Sequence, residues 1–308
     1  MQIIAPDYYK NFKCIANKCK NSCCIGWEID IDDETLEIYK NIGGELGQRL
    51  KNSISYNGTP HFITDKADRC PFLNQNGLCD IITELGDDGL CQICYDHPRF
   101  RNYFSNRTEI GLGICCEAAT ELILGSTEKM TLLTLESEGG NELPTKDEKT
   151  KLLKRDKLFE VFQNSNITIK SKMEQAARLY ALPDTTPDIK ALANLHSSLE
   201  RLDPEWDGYL NSVKNKNLTA EDVLTRAENK IPLPTEQLLC YFTYRYFAST
   251  VDSAAAVKFI LQSTFFCLAI CYSYYGDLCS ADFLDICRRY SLEVEYSEEN
   301  IELLLNDN

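Results

Sequence analysis

CKNSCCIGWEIDID, residues 19–32, sets three cysteines within six positions and then alternates apolar with acidic side chains. Trp27, Ile29 and Ile31 interleave with Glu28, Asp30 and Asp32, a period of two that predicts a short strand with an acidic face. A helix is expected from about Asp33, carrying Leu36 and Tyr39 inward. The acidic run is no calcium loop: twelve positions counted from Asp30 end on Asn41, where a bidentate Glu belongs, and the central glycine is missing.

Working outward, the thiols multiply. Cys14 precedes the run, Cys70, Cys79, Cys91 and Cys94 follow it, and Cys115 and Cys116 close the series, so that ten of the 15 cysteines lie between Cys14 and Cys116. A chain of 308 residues can bury a core without covalent staples, and this cysteine content is below that of a small disulfide scaffold. The opening residues, MQIIAPDYYKNFKC, show no basic run followed by an apolar one, so a reducing, cytoplasmic compartment is the expectation and metal the expected use of the thiols.

Thiolates are soft ligands suited to zinc and to iron-sulfur clusters, and Cys91 and Cys94, two residues apart, can face one ion from a tight turn. Cys23 and Cys24 would point to opposite faces of a strand, or diverge by about 100° on a helix, so two neighbouring sites are easier to build than one. His97, three residues after Cys94, is a candidate ligand or a packed turn residue. His61 and His196 are read as structural or surface residues, and Cys240, Cys267, Cys271, Cys279 and Cys287 as small buried hydrophobes.

The balance of 32 basic against 47 acidic residues, a net charge of -15, opposes nucleic acid and anionic membranes and tolerates a cationic substrate. The uncharged run Phe259 to Gly276 reaches membrane-spanning length but carries Gln262, Ser263, Thr264 and Ser273 and has no basic flank, and it is read as a buried helix. The charged, glycine-broken stretch 136–149 reads as a linker. Behind it, Met173, Ala176, Ala177 and Tyr180; Leu192, Leu195, Leu199 and Leu202; and Trp206, Tyr209, Leu210 and Val213 recur at helical spacing, with a helix start at Asp203-Pro204 and a capping box at Thr219 and Asp222. The expected fold is mainly α: an irregular Cys-rich metal-cluster domain with little β over 1–135, the linker at 136–149, and an all-helical domain over 150–308.

The blocks FKCIANKCKNSCCIGWEIDID, CPFLNQNGLCDI, LGDDGLCQICYDHPRF and CCEAA, in this order, resemble the signatures of the flagellin lysine-N-methylases, within the broader YkgJ-type cysteine-cluster proteins. The resemblance covers residues 1–125 and continues more thinly in LLCYFTYRYF near residue 240 and EVEYSEENIELL near the end. It implies methyl transfer from S-adenosylmethionine to flagellin lysines, a 4Fe-4S cluster, and a metal-associated set of Cys14, Cys19, Cys23, Cys24, Cys70, Cys79, Cys91, Cys94 and Cys115. Cys116 stands where the family pattern has proline, and is expected to be a non-ligand thiol; Tyr296 stands where it has histidine.

No familiar cofactor fingerprint accompanies these blocks. Gly111-Leu112-Gly113 lacks the third glycine of a dinucleotide loop, and Gly26 occupies the position where a third cysteine after Cys19 and Cys23 would make a radical-enzyme triplet. Methylating lysine requires removal of a proton from an ammonium, for which a carboxylate or a tyrosinate is the natural acceptor; Glu117, the acidic face at 28–32, and Tyr241, Tyr244, Tyr246, Tyr272, Tyr274 and Tyr275 supply such groups, and no catalytic residue is singled out among them. The contrasting reading is a non-enzymatic cysteine-cluster protein whose zinc or iron is structural.

Overall fold

The apolar run Gln2–Pro6 forms a strand rather than a loop because two partners cover it: Arg107–Leu112 pairs parallel to it, with Ile4 opposite Glu109, and Leu132–Ser137 pairs antiparallel, with a bulge between Ile3 and Ile4. Arg99–Tyr103 adds the outer strand of this four-stranded sheet. In the computed structural model, residues 1–137, 143–183 and 187–306 are described. Fourteen α-helices occur among them, so the chain is mainly α as expected.

The chain divides into two compact units, one of Lys13–Phe100 with Cys116–Ala118, the other of Met1–Phe12, Arg101–Cys115 and Ala119–Asn308. This division differs from the expected one. The helical unit contains sheet strands from the first part of the chain and is therefore not all-helical. The expected linker at 136–149 lies partly on residues 138–142, outside those described; on its flanks, residues 136 and 137 end a strand and Thr145 caps the helix Lys146–Phe162 through a reciprocal box with Glu148.

Within the larger unit the helix Ser253–Tyr275 is the axis. Asp252 caps its first amides, Gly276 ends it in the left-handed region at φ 85°, and it packs against Trp206–Asn215 and Ser280–Tyr290. Length and composition would let it cross a membrane, but 78% of its most apolar stretch is buried by protein. His196 lies buried against it, stacked on Phe266 at 4.1 Å with Nδ1 2.8 Å from the Leu192 carbonyl, in the structural role expected. Cys240, Cys267, Cys271 and Cys287 are buried hydrophobes. Cys279 is not: it is exposed and caps the helix Ser280–Tyr290, its sulfur accepting from the Asp282 amide.

The box at Thr219 and Asp222 opens Ala220–Lys230 as expected. The leucine stripe from Leu192 is shorter than its spacing implies, because the helix Ile189–Ser197 stops before Leu199. The following amides of Leu202 and Asp203 donate to the Glu293 carboxylate instead of continuing the helix.

Candidate metal centre

The cysteine-rich unit is built on short elements fastened to one another. Asp32 caps the helix Asp33–Asn41 by accepting from the Thr35 amide, and its other oxygen accepts from the Gln92 amide at 2.7 Å, at the start of the short helix Gln92–Asp96. Burial alone would raise the Asp32 carboxyl; the Gln92 and Thr35 amides outweigh it and hold the group below its ordinary range. Cys91 stands at the N-terminus of that short helix and Cys94 within it, the Cys94 amide donating to the Cys91 carbonyl at 3.0 Å. The Cys70 amide donates to the Cys24 carbonyl at 2.9 Å and Ile25 bridges Arg69, which brings the middle loop against the first, while Leu73 and Cys79 bridge within the middle loop.

Residues 27–31 alternate in burial as their sequence implies, with Ile29 and Ile31 inside, but they make a single isolated bridge, Asp30 to His61, and not a strand. Ile29, Ile31, Tyr39, Phe62 and Phe72 share one core with Cys70 and Cys91, and Cys24, Cys79 and Cys94 pack against it. Five motif thiols therefore share one apolar neighbourhood. Their charges interact: thiolate at Cys24 would oppose ionisation of Cys70, Cys79 and Cys94.

Within this set the thiols are not alike. Hydrogen bonding from Cys23 draws Cys24 down to about 7 against the effect of burial, with Ser22 and Arg69 assisting. Cys91 is likewise lowered by Cys94, whereas Cys23 and Cys94, the donors, are raised. Cys70 is pushed up to about 12 by burial.

A second set gathers on the exposed side of the same unit. Cys14 and Cys23 are exposed, Cys19 is half-buried, and the charges of Cys14 and Cys116 both bear on Cys23. Cys116 also bears on Cys19, which burial pushes up to about 11. The tie is Glu117, whose carboxylate accepts from the Lys20 amide at 2.8 Å and from the Cys19 thiol at 3.6 Å. Cys116, expected to be a bystander, thus stands among motif thiols.

Cys115 belongs to the other unit, buried beside Ile114, with its thiol donating to the Tyr296 hydroxyl at 3.2 Å. His97 is half-buried, 6.3 Å from the Trp27 ring; partial burial, with Arg99 nearby, draws it down to about 4, so its ring is neutral at physiological pH. His61 binds the Thr59 carbonyl at 2.8 Å and faces Glu28 at 3.6 Å.

Among the described residues no three His, Cys, Asp or Glu side chains converge closely enough to hold one ion. The donor set nonetheless matches a soft metal in kind, since nearly every candidate is a thiol. Drawing such thiols onto an ion is the usual coupling of metal binding to folding in small thiolate sites.

Three of the expected tyrosines serve other ends. Tyr241, Tyr244 and Tyr246 are buried, and burial raises each well above its ordinary value, so they are neutral donors and not proton acceptors. The sequence reading passed over Arg245 and Glu295, the charged partners of this group. Their signal was present: a lone arginine in the aromatic block LLCYFTYRYF.

No family model matches the chain and no solved structure matches it. Over 138 residues, 42% of this chain, it is 27% identical to the lysine-N-methylases of Salmonella choleraesuis and Salmonella typhimurium. The chain spans about a third of the length of these curated relatives, 34% of each. Over 138 residues it is also 26% identical to the flagellar biosynthetic protein FliU of Salmonella muenchen, covering 81% of that protein. The likeness to the flagellin lysine-N-methylases first read from the cysteine blocks is thereby borne out across that portion of the chain.

Proposed function

We propose that this chain is a cytoplasmic protein-lysine N-methyltransferase that acts on flagellin, using S-adenosylmethionine and a thiolate-held iron-sulfur cluster. The observation that carries the reading is the gathering of Cys24, Cys70, Cys79, Cys91 and Cys94 around one core, in a chain similar over 42% of its length to named lysine-N-methylases. Those five thiols, with Cys14, Cys19 and Cys23, are the residues that would hold 4Fe-4S iron, or zinc as the other ion such ligands suit. When bound, the cluster supplies a Lewis-acidic anchor for the cofactor.

The rest falls to the chain's own groups. The net charge of -15 favours approach of a lysine-bearing partner. A lysine ammonium must shed its proton before its nitrogen can attack a methyl group. The buried Tyr241, Tyr244 and Tyr246 do not take it, which leaves a carboxylate, or one of Tyr272, Tyr274 and Tyr275, as the acceptor. Binding of the protein around the target lysine positions and desolvates the amine, so free lysine is a poor substrate.

The test is intact-mass spectrometry of a cognate flagellin incubated with S-adenosylmethionine and anaerobically purified chain. Mass added in methyl steps on lysine supports the reading. Unmodified flagellin, together with zinc as the sole metal and no cofactor binding by calorimetry, overturns it in favour of a structural metal protein.

A further inference from the structure

Two helices of the larger unit end in π-helical turns, and both turns serve one buried cluster. Pro232–Phe242 runs into Thr243–Phe247, and Ser280–Tyr290 into Ser291–Glu295. Regular α spacing puts Tyr241 and Arg245 on one face but turns Tyr246 away; the wider π turn, with its pairing five residues apart, restores Tyr246 to that face. All three converge on one oxygen of Glu295: Tyr241 donates to Oε2 at 2.7 Å, Tyr246 at 2.8 Å, and Arg245 at 2.9 Å.

The Tyr241 hydroxyl is saturated. It gives its proton to Glu295 and accepts from Arg245 at 2.8 Å and from the Ile114 amide at 3.3 Å. Thr120 donates to the Ile114 carbonyl, so both polar groups of that fully buried peptide position are engaged. The next residue is Cys115, whose thiol meets Tyr296, the residue following Glu295.

We propose that Glu295 is a positioning residue: by holding the Tyr241 proton and the Arg245 guanidinium, it turns the Tyr241 lone pair onto the Ile114 amide and so fixes the Cys115 thiol. Without the carboxylate the hydroxyl rotates to find another acceptor, and Ile114 loses its partner. The inference rests on the methyltransferase reading through the family resemblance, which implies a metal association for Cys115. Its test reads the thiol itself and needs neither metal nor activity.

The experiment is timed iodoacetamide labelling of the folded, metal-free full chain, with the rate at each cysteine read by peptide mass spectrometry. In Glu295→Leu and in Tyr241→Phe, Cys115 labels roughly tenfold faster than in the parent, the size expected for losing one buried hydrogen bond, while Cys267 and Cys287 keep their rates. Tyr246→Phe removes a donor to Glu295 that does not touch Ile114, and leaves Cys115 at the parent rate. An unchanged Cys115 rate in Tyr241→Phe overturns the proposal. So does a common acceleration of Cys115, Cys267 and Cys287, which marks Glu295 as a general stabiliser of the fold. Failure of the parent chain to methylate flagellin, with these labelling results intact, would count against the enzyme reading and leave the positioning role standing.

Discussion

Glu117 holds the Cys19 thiol at 3.6 Å across 98 residues of chain, and with it fastens Cys116 to the first cysteine block. The vicinal pair Cys23 and Cys24 then joins two sets of thiols, the exposed one with Cys14 and Cys116, and the buried one with Cys70, Cys79 and Cys94. Protein purified without oxygen should carry iron and acid-labile sulfide. Cys24→Ala and Cys23→Ala should each lower the iron content, and Cys116→Ala should lower it too. Full iron in all three variants, by metal analysis, would exclude these residues as ligands.

Glu109 is wholly buried between Arg107 and Arg155, itself 1% exposed. Glu109→Leu leaves both guanidiniums without their counter-charge and should cost about 3–5 kcal/mol of stability. Urea denaturation followed by circular dichroism checks this. A loss under 1 kcal/mol, roughly what an exposed pair is worth, would mean the arginines find other partners.

The Tyr39 hydroxyl donates to the Gly89 carbonyl at 2.7 Å inside the cysteine-bearing core. Tyr39→Phe should destabilise by about 1–3 kcal/mol, because the carbonyl stays buried without that donor. Thermal melting of the anaerobic protein is the measurement, and an unchanged midpoint would show that water reaches Gly89.

His196 has its folded pKa drawn down to about 4 by burial, against an unfolded value near 6.5. Between these values the unfolded chain binds the extra proton, so the histidine's contribution falls as pH drops from about 6.5 towards 4, by up to about 1.4 kcal/mol per pH unit. In His196→Phe, the urea midpoint should depend less steeply on pH over that window. Equal slopes in parent and variant would place the acid sensitivity elsewhere.

The cysteine blocks and most of the helices were legible in the sequence because each follows a local rule: soft ligands in short turns, apolar side chains three and four apart, and the cap at Thr219. The sheet was not. Arg107–Leu112 hides Glu109 where alternation calls for an apolar residue, and Arg107 together with the distant Arg155 makes that burial tolerable. Cys279 reads as a core residue because nothing in its neighbours marks a thiol as a helix cap. The Glu295 cluster escaped because α periodicity separates Tyr241 from Tyr246, and the π turn that reunites them has no sequence signature of its own.

The most direct test of the methyltransferase account is transfer of a trideuteromethyl label from S-adenosylmethionine to flagellin by metal-replete full chain, read by peptide mass spectrometry. The account predicts the label on lysine side chains, in whole methyl steps, and its disappearance in Cys24→Ala. Flagellin without label, or label transferred equally well by metal-depleted protein, would contradict it.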